Sequence, residues 1–332
     1  MTGELALRCL ACDATLMAED RYCEVCGTEV VAALPPSGPP TGACRVCGAP
    51  PEAKGTDGYC TVCGVRERVA APRVELDLVV AAAVSEQGRS HRRNEDAFHL
   101  ERVGDDGLVA VVCDGISTAA SGDAAARAAA TAAAAALARA LRNGDDLEGA
   151  TGGAVLAAQD AVQRVPATTR DALALPSCTL VSAACRDGEL VIGWVGDSRA
   201  YWLAPGDARQ LTVDDSWAAE QVADGLLSSE EAFADRRAHA ITRWVGADSP
   251  PNAPQVTNLA PSSAGRLVLC TDGLWNSAPT AGELVELLAG LDADAEPASV
   301  AHHLADAAMA RGARDDVTVA VIDIQPPGGR QP

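Results

Sequence analysis

The chain has 332 residues, enough for one large domain plus something small. Its net charge of −20 disfavours broad nucleic-acid binding, because backbone phosphates are repelled by such a field. Hydrophobic residues make up 48% and aromatic ones only 3%, so any core is built from alanine and branched aliphatics. The longest apolar stretch, residues 124–141, is interrupted by Arg127 and Arg139, so no membrane span is expected. The start, MTGELALRCLACD, lacks the basic and apolar parts of a secretory signal, so the expected location is cytoplasmic, with reduced thiols.

Along the chain, eight of the twelve cysteines fall in the first 63 residues and form four CxxC pairs. Cys9 and Cys12 go with Cys23 and Cys26, and Cys44 and Cys47 go with Cys60 and Cys63. Two such pairs supply the four thiolates, at about 2.3 Å, that a tetrahedral zinc ion needs. Ten residues separate the pairs of the first set and twelve those of the second, which suits small ribbons. Four disulfides are the alternative, and a reducing compartment disfavours them. The expected layout is a zinc ribbon at 1–32, a Pro/Gly-rich linker at 33–43, a second ribbon at 44–66 and a linker at 67–75. Residues 1–72 hold six Lys/Arg against nine Asp/Glu, so the ribbons are better suited to docking protein than nucleic acid.

Beyond residue 76 the pattern becomes that of an α+β domain, expected over 76–324, with a disordered tail at 325–332. Apolar runs predict strands at 76–84, 108–113, 179–185, 190–195, 266–271 and 317–324. Helical patterns cover 123–142, 151–164, 281–290 and 298–311. Cys113, Cys178, Cys185 and Cys270 stand singly in or beside apolar runs and read as small buried hydrophobes.

Two of the apolar runs end on a carboxylate backed by glycine: LVAVVCDGI at Asp114-Gly115 and RLVLCTDGLW at Asp272-Gly273. Asp315-Asp316 immediately precedes the last strand run, and Glu95-Asp96 leads into another apolar stretch. An ionised carboxylate at the end of a core strand is costly unless paired or holding a metal. Several of them, with no histidine or cysteine suited to join, point to an all-oxygen site for Mg²⁺ or Mn²⁺. Glycine after the aspartate would let its carbonyl approach an ion closely. The competing reading is ordinary solvated Asp-Gly turns.

In order, SEQGRSHRRNEDAF, VVCDGISTAASGD, SCTLVSA, GWVGDSRAYWL, LTVDDSWAAEQVADGLLSSEEA, AHAITRWVG, LVLCTDGLW and GARDDVTVAVI resemble the metal-dependent protein Ser/Thr phosphatases of bacterial type, the PPM or type 2C family. The resemblance covers roughly 77–324. It implies a four-layer α-β-β-α sandwich of two antiparallel sheets with helices outside. It also implies two Mn²⁺ or Mg²⁺ ions and hydrolysis of phosphoserine or phosphothreonine by a bridging hydroxide, with no phosphoenzyme. Carried over by position, Asp114 bridges the metals, the Gly115 carbonyl, Asp272 and Asp315 are direct ligands, and Glu95 and Asp96 hold metal-bound waters. Implied partners are phosphoproteins and a Ser/Thr kinase pathway. Asp197, Thr212 and Asp214 read as scaffold. The stretch 217–237 reads as a helical flap beside the cleft, with Trp217 and Phe233 candidates for substrate contact.

The chain also departs from that family. Where an arginine usually grips substrate phosphate stands His91, with Arg89, Arg92 and Arg93 nearby as candidates for the same task. The asparagine expected after the last metal aspartate is Asp316, adding charge beside the site. Ala174 stands where a third-metal aspartate is common, with Asp171 displaced, so a third ion held in the family manner is not implied. Ile116 to Ala119 replaces the Met-Gly-Gly-His common in the loop. These departures keep open a weak or inactive phosphatase fold acting as an adaptor.

Overall fold

The computed structural model describes residues 7–8, 15–16, 49–50, 53, 61–62, 73–91, 93–116, 121–166, 175–249 and 254–326. Both expected zinc sites lie outside the described residues: Cys9, Cys12, Cys23 and Cys26 of the first, and Cys44, Cys47, Cys60 and Cys63 of the second. So do Arg92, Ser117 to Ala119, Asp171, Ala174 and the last six residues of the tail. The chain divides into two compact units, Met1–Ala70 and Ala71–Pro332. In the first, β1 (Leu7–Arg8) pairs antiparallel with β2 (Thr15–Leu16). These two strands bracket Cys9 and Cys12 in the sequence.

The second unit begins with β3 (Arg73–Asp77), which overlaps the end of the stretch expected as linker, and β4 (Ala81–Glu86). The single strand expected at 76–84 is therefore a hairpin. Asp77 accepts from the amide of Val79 at 2.7 Å, and Leu78 N donates to Ala81 O at 2.8 Å. Val79 takes φ 71°, a conformation no β-branched residue advertises, which is why the apolar run concealed the turn.

Next come β5 (Asp96–Val103) and β6 (Gly107–Asp114). Then follow the long helices α1 (Gly122–Asn143) and α2 (Leu147–Gln163). Strands β7 (Ser177–Cys178), β8 (Leu180–Arg186), β9 (Glu189–Val195), β10 (Arg199–Ala204) and β11 (Asp207–Gln210) form successive turns of the chain. The flap comprises α3 (Trp217–Ala223) and α4 (Ser229–Ala234). The remainder is β12 (Val245–Gly246), β13 (Gln255–Leu259), β14 (Gly265–Cys270), α5 (Asp272–Trp275), α6 (Ala281–Leu288), α7 (Pro297–Ala310) and β15 (Val317–Ile324).

Two large antiparallel sheets result, ordered β11-β10-β14-β15-β4-β3 and β13-β9-β8-β6-β5, and β12 pairs with β7 in a two-stranded ribbon. Trp194, Trp202, Leu190, Ile192, Leu267 and Leu269 belong to the core between them. Helices α1 and α2 cover the five-stranded sheet, and α5 to α7 cover the other, so the layers run α-β-β-α. Alanine makes the first cover possible: Ala125, Ala126, Ala129, Ala130, Ala133 and Ala134 turn one face of α1 to the sheet with almost no exposure. Their short side chains let helix and strands approach closely while keeping high helix propensity. Helix α1 ends at Gly144, in the left-handed conformation, and Asp146 then caps α2 by accepting from Gly149 N at 2.7 Å. Among the described residues no helix is long and apolar enough to cross a membrane.

Candidate metal centre

Four strand ends meet at one edge of the sandwich. Asp96 opens β5 and stands directly opposite Asp114, the last residue of β6. Asp272 follows β14, and Asp315 and Asp316 precede β15, which is paired to β14. Thr271 joins the two sheets. Its hydroxyl donates to Asp96 Oδ2 at 2.9 Å and accepts from Thr318 N at 3.0 Å. Thr179 fixes Asp114 from the other side, accepting from its amide at 3.1 Å while donating its own amide to the Asp114 carbonyl at 2.8 Å.

The glycines after the aspartates have a steric reason. A Cβ on Gly273 would sit 2.0 Å from Asp316 O, and one on Gly115 would sit 2.5 Å from Gly122 C and 2.6 Å from Glu95 O. Close backbone packing of one carboxylate segment on another demands them, beside any role of the Gly115 carbonyl.

The carboxylates are left with little compensation. Burial, then the charges of Asp96, Asp272, Asp315 and Asp197, holds Asp114 well above the usual carboxylate range. Burial and then Asp316 do the same to Asp96. Asp272 is pushed up to about 7 by burial and then by Asp315. Asp272 Oδ1 is buried and has no hydrogen-bond partner, while Oδ2 accepts from Asn276 at 3.1 Å. An orphaned buried oxygen amid mutually repelling carboxylates is the donor set a hard divalent cation satisfies, so the residues present fit the expected Mn²⁺ or Mg²⁺.

Asp197 lies closer to this chemistry than its expected scaffold role suggests. It is 4% exposed, and burial followed by the charge of Asp272 raises its carboxyl well above the normal range. Its carbonyl accepts from Trp275 Nε1 at 2.9 Å, tying it to α5. The signal was present: residues 190–195 form an apolar run ending in Gly-Asp, as LVAVVC ends in Asp-Gly. Asp214 does serve the scaffold, gripped by Arg199 Nε at 2.9 Å and Nη2 at 2.7 Å.

The tightest gathering of metal-capable atoms among the described residues is not Asp114, Asp272 and Asp315. It is His91, Asp315 and Asp316, with one atom of each lying within 4.8 Å of the others. His91 Nδ1 lies 2.8 Å from Asp316 Oδ2 and Nε2 lies 3.2 Å from Asp315 Oδ1. The Asp316 bond, opposed by burial, raises the imidazole to about 9. Asp316 also accepts from Gly88 N and Glu95 N, each at 2.7 Å. The extra charge of Asp316 is thus absorbed into fastening the 88–95 loop. His91, expected to face substrate, instead bridges two carboxylates. Arg89 turns away and donates to Met309 O at 3.0 Å. In the flap, Trp217 lies under the Arg237 guanidinium, 4.0 Å from its ring centroid, whereas Phe233 is 43% exposed. Cys113, Cys178 and Cys270 are buried, as small hydrophobes would be, whereas Cys185 is only half-buried.

A family profile described as "Protein phosphatase 2C" matches residues 87–308, well over half of the chain. The chain belongs to the protein phosphatase 2C family. Over 259 residues it is 30% identical to the serine/threonine protein phosphatase PstP of Mycobacterium tuberculosis, covering 76% of this chain and 46% of that protein. It therefore spans about half the length of that relative. Over 242 residues it is 28% identical to the serine/threonine phosphatase stp of Listeria innocua, covering 72% of this chain and 93% of the relative. The catalytic domain of PstP, solved in complex with two manganese ions, superposes with a TM-score of 0.58 at 26% identity, covering 76% of this chain and 100% of that one.

Proposed function

We propose that the larger unit is a metal-dependent protein phosphatase that hydrolyses phosphoserine and phosphothreonine, opposing a Ser/Thr kinase in the cytoplasm. The observation carrying this reading is the convergence of under-compensated carboxylates from four strand ends in a chain of this family. Asp114, the Gly115 carbonyl, Asp272 and Asp315 would hold two Mn²⁺ or Mg²⁺ ions, with Glu95 and Asp96 reaching them through water. When bound, such ions supply charge neutralisation on a phosphoryl oxygen and a water of lowered pKa. The chain's own groups do the positioning. Thr271 aims Asp96, Thr179 holds the Asp114 backbone, and His91 Nε2 orients Asp315. No serine or cysteine is needed as nucleophile. Two zinc ions would fold the first unit, one on Cys9, Cys12, Cys23 and Cys26 and one on Cys44, Cys47, Cys60 and Cys63. That unit would dock a protein partner.

The test supplies a phosphothreonine peptide with Mn²⁺, with chelator, and to Asp114→Asn. Phosphate release that requires Mn²⁺ and vanishes in the variant is expected. The adaptor reading draws on the imidazole occupying Asp315, and no release by Mn²⁺-loaded wild-type protein would favour it. Elemental analysis checks the first unit: two zinc ions per chain are expected, and a zinc-free, folded preparation would refute the ribbons.

A further inference from the structure

We infer that His91 is a nitrogen ligand of the ion held on Asp315, so that this centre selects a first-row transition dication over Mg²⁺. The inference rests on the metal-centre part of the phosphatase reading and departs from its all-oxygen donor set. Among the described residues, the gathering of metal-capable atoms within 4.8 Å of one another is His91, Asp315 and Asp316. An imidazole that binds a metal through one nitrogen ordinarily gives the N–H of the other to a carboxylate, which fixes the tautomer and the ring plane. His91 has that arrangement. Nδ1 lies 2.8 Å from Asp316 Oδ2, so the neutral ring carries its proton on Nδ1 and turns the Nε2 lone pair toward Asp315 Oδ1, 3.2 Å away. A lone pair facing a carboxylate calls for a cation between them. Asp272 adds a further donor: its Oδ1 is buried without a hydrogen-bond partner. After burial, Asp315 and Asn276, the group acting most on the Asp272 carboxyl is the His91 ring.

The loop that carries His91 is built to hold it in place. Gln87 is fully buried and donates from Nε2 to the His91 carbonyl at 2.9 Å, and Ser90 N donates to Arg314 O at 2.9 Å. A Cβ on Gly88 would sit 2.2 Å from Asp315 C, so glycine lets the loop lie directly on the Asp315 backbone. Asp316 Oδ1 takes the Gly88 amide at 2.7 Å while Oδ2 takes the ring. The imidazole is thus fastened to the segment that bears the metal aspartate, the rigid placement a ligand needs. His91 and Asp316, two departures from the family pattern, prove to be each other's partners. Mg²⁺ prefers oxygen ligands and keeps its waters, whereas an imidazole favours transition metals. In the metal-free chain a proton occupies the place between Nε2 and Asp315, and the ion displaces it to solvent.

The full chain is titrated calorimetrically with Mn²⁺ and with Mg²⁺ as wild type, His91→Ala and His91→Arg, and the Mn²⁺-loaded forms are read by electron spin-echo modulation. Wild type is expected to show coupling of an imidazole nitrogen to Mn²⁺. Both His91 variants lose it, and His302→Ala, changed at a histidine paired with Glu75, keeps it. Without the nitrogen, Mn²⁺ affinity is expected to fall about ten- to a hundredfold and Mg²⁺ affinity by less than about threefold. If the imidazole is a counter-charge only, its removal in His91→Ala strengthens binding of both ions alike, and that result overturns the inference. Absence of nitrogen coupling in Mn²⁺-loaded wild type overturns it without any variant. None of these readouts needs turnover. Coupling in a chain that releases no phosphate upholds His91 and sinks the phosphatase reading, release without coupling does the reverse, and a chain that binds no Mn²⁺ overturns both.

Discussion

Two clusters of buried charge stand close together at the strand ends, and they are solved in opposite ways. Around Arg199 each charge has its counterpart. Asp214 receives two guanidinium bonds, the Tyr201 hydroxyl and the Pro279 carbonyl take others, and the Trp275 ring lies 3.8 Å beneath the cation. Both ionic side chains are 4% exposed, and the contacts hold the guanidinium firmly charged. Around Asp114 the buried aspartates share one sign and raise one another, and the His91 imidazole at Asp315 offsets them only in part. The first arrangement is complete within the chain. The second is incomplete, and the missing counter-charge is the signature of a ligand that the chain does not supply.

If that contrast holds, the two clusters respond oppositely to neutralising one side chain. Arg199→Met strands Asp214 as an uncompensated buried charge and should cost about 3–5 kcal/mol. In a domain of this size that lowers Tm by about 10 °C, with or without Mn²⁺. A variant that melts within about 2 °C of wild type would show that the pair is ornamental and remove one half of the contrast.

pH acts next. A carboxyl whose folded pKa is raised binds its proton more tightly folded than unfolded. Its ionisation therefore penalises folding once pH exceeds the unfolded value. For Asp272 the window runs from the ordinary 3.8 to about 7. Asp114, Asp96 and Asp197 act in the same direction. His91 does not blur this. Its raised imidazole gives stability that is whole below 6.5 and lost as pH rises through about 9. Metal-free protein should lose on the order of a few kcal/mol between about pH 4 and pH 7. Added Mn²⁺ should raise Tm more at about pH 8 than at about pH 5, since cation and proton compete for the same oxygens. A Mn²⁺ response that is equal at both ends would mean the carboxylates do not form one site.

Asp114→Asn sharpens the point further. The amide keeps the shape and removes one like charge, so the metal-free variant should be more stable than wild type by about 1 kcal/mol while its Mn²⁺ response disappears. Melting curves with chelator and with Mn²⁺ give both numbers. Destabilisation of the metal-free variant would show that Asp114 is structural.

Most of this contrast could be read from sequence, but not all of it. The strand ends bearing Asp114, Asp272 and Asp315 were legible because unbroken apolar runs stop or start beside a carboxylate, which no solvated hairpin requires. The pairing of Asp197 with that group was only half legible: its apolar run does end on Gly-Asp, but Gly-Asp after a strand is also an ordinary turn. The fate of His91 was hidden for a different reason. Its partners, Asp315 and Asp316, lie more than two hundred residues away, and only tertiary packing brings Gly88 and Glu95 amides onto Asp316. Thr271 was similarly silent: a threonine ending a strand gives no sign that it bonds across to the opposite sheet. Long-range polar contacts leave no periodicity, whereas burial does.

The smallest effect calibrates the others. Val79 is 74% exposed at φ 71°, on the far hairpin between β3 and β4, so its strain is local and carries no charge. A left-handed conformation costs an L-residue about 1–2 kcal/mol, and glycine adopts it freely at an entropic cost of roughly half that. Val79→Gly should therefore raise Tm by about 2 °C, a shift close in size to that expected for Asp114→Asn. Its Mn²⁺ response and pH slope should match wild type within error. That separation is the useful result, because a variant stabilised to a similar degree with an intact metal response shows that the loss in Asp114→Asn comes from charge and not from rigidity. If Val79→Gly also weakened the Mn²⁺ response, stability and metal binding would be coupled through the whole sheet, and the local electrostatic account of the Asp114 cluster would fail.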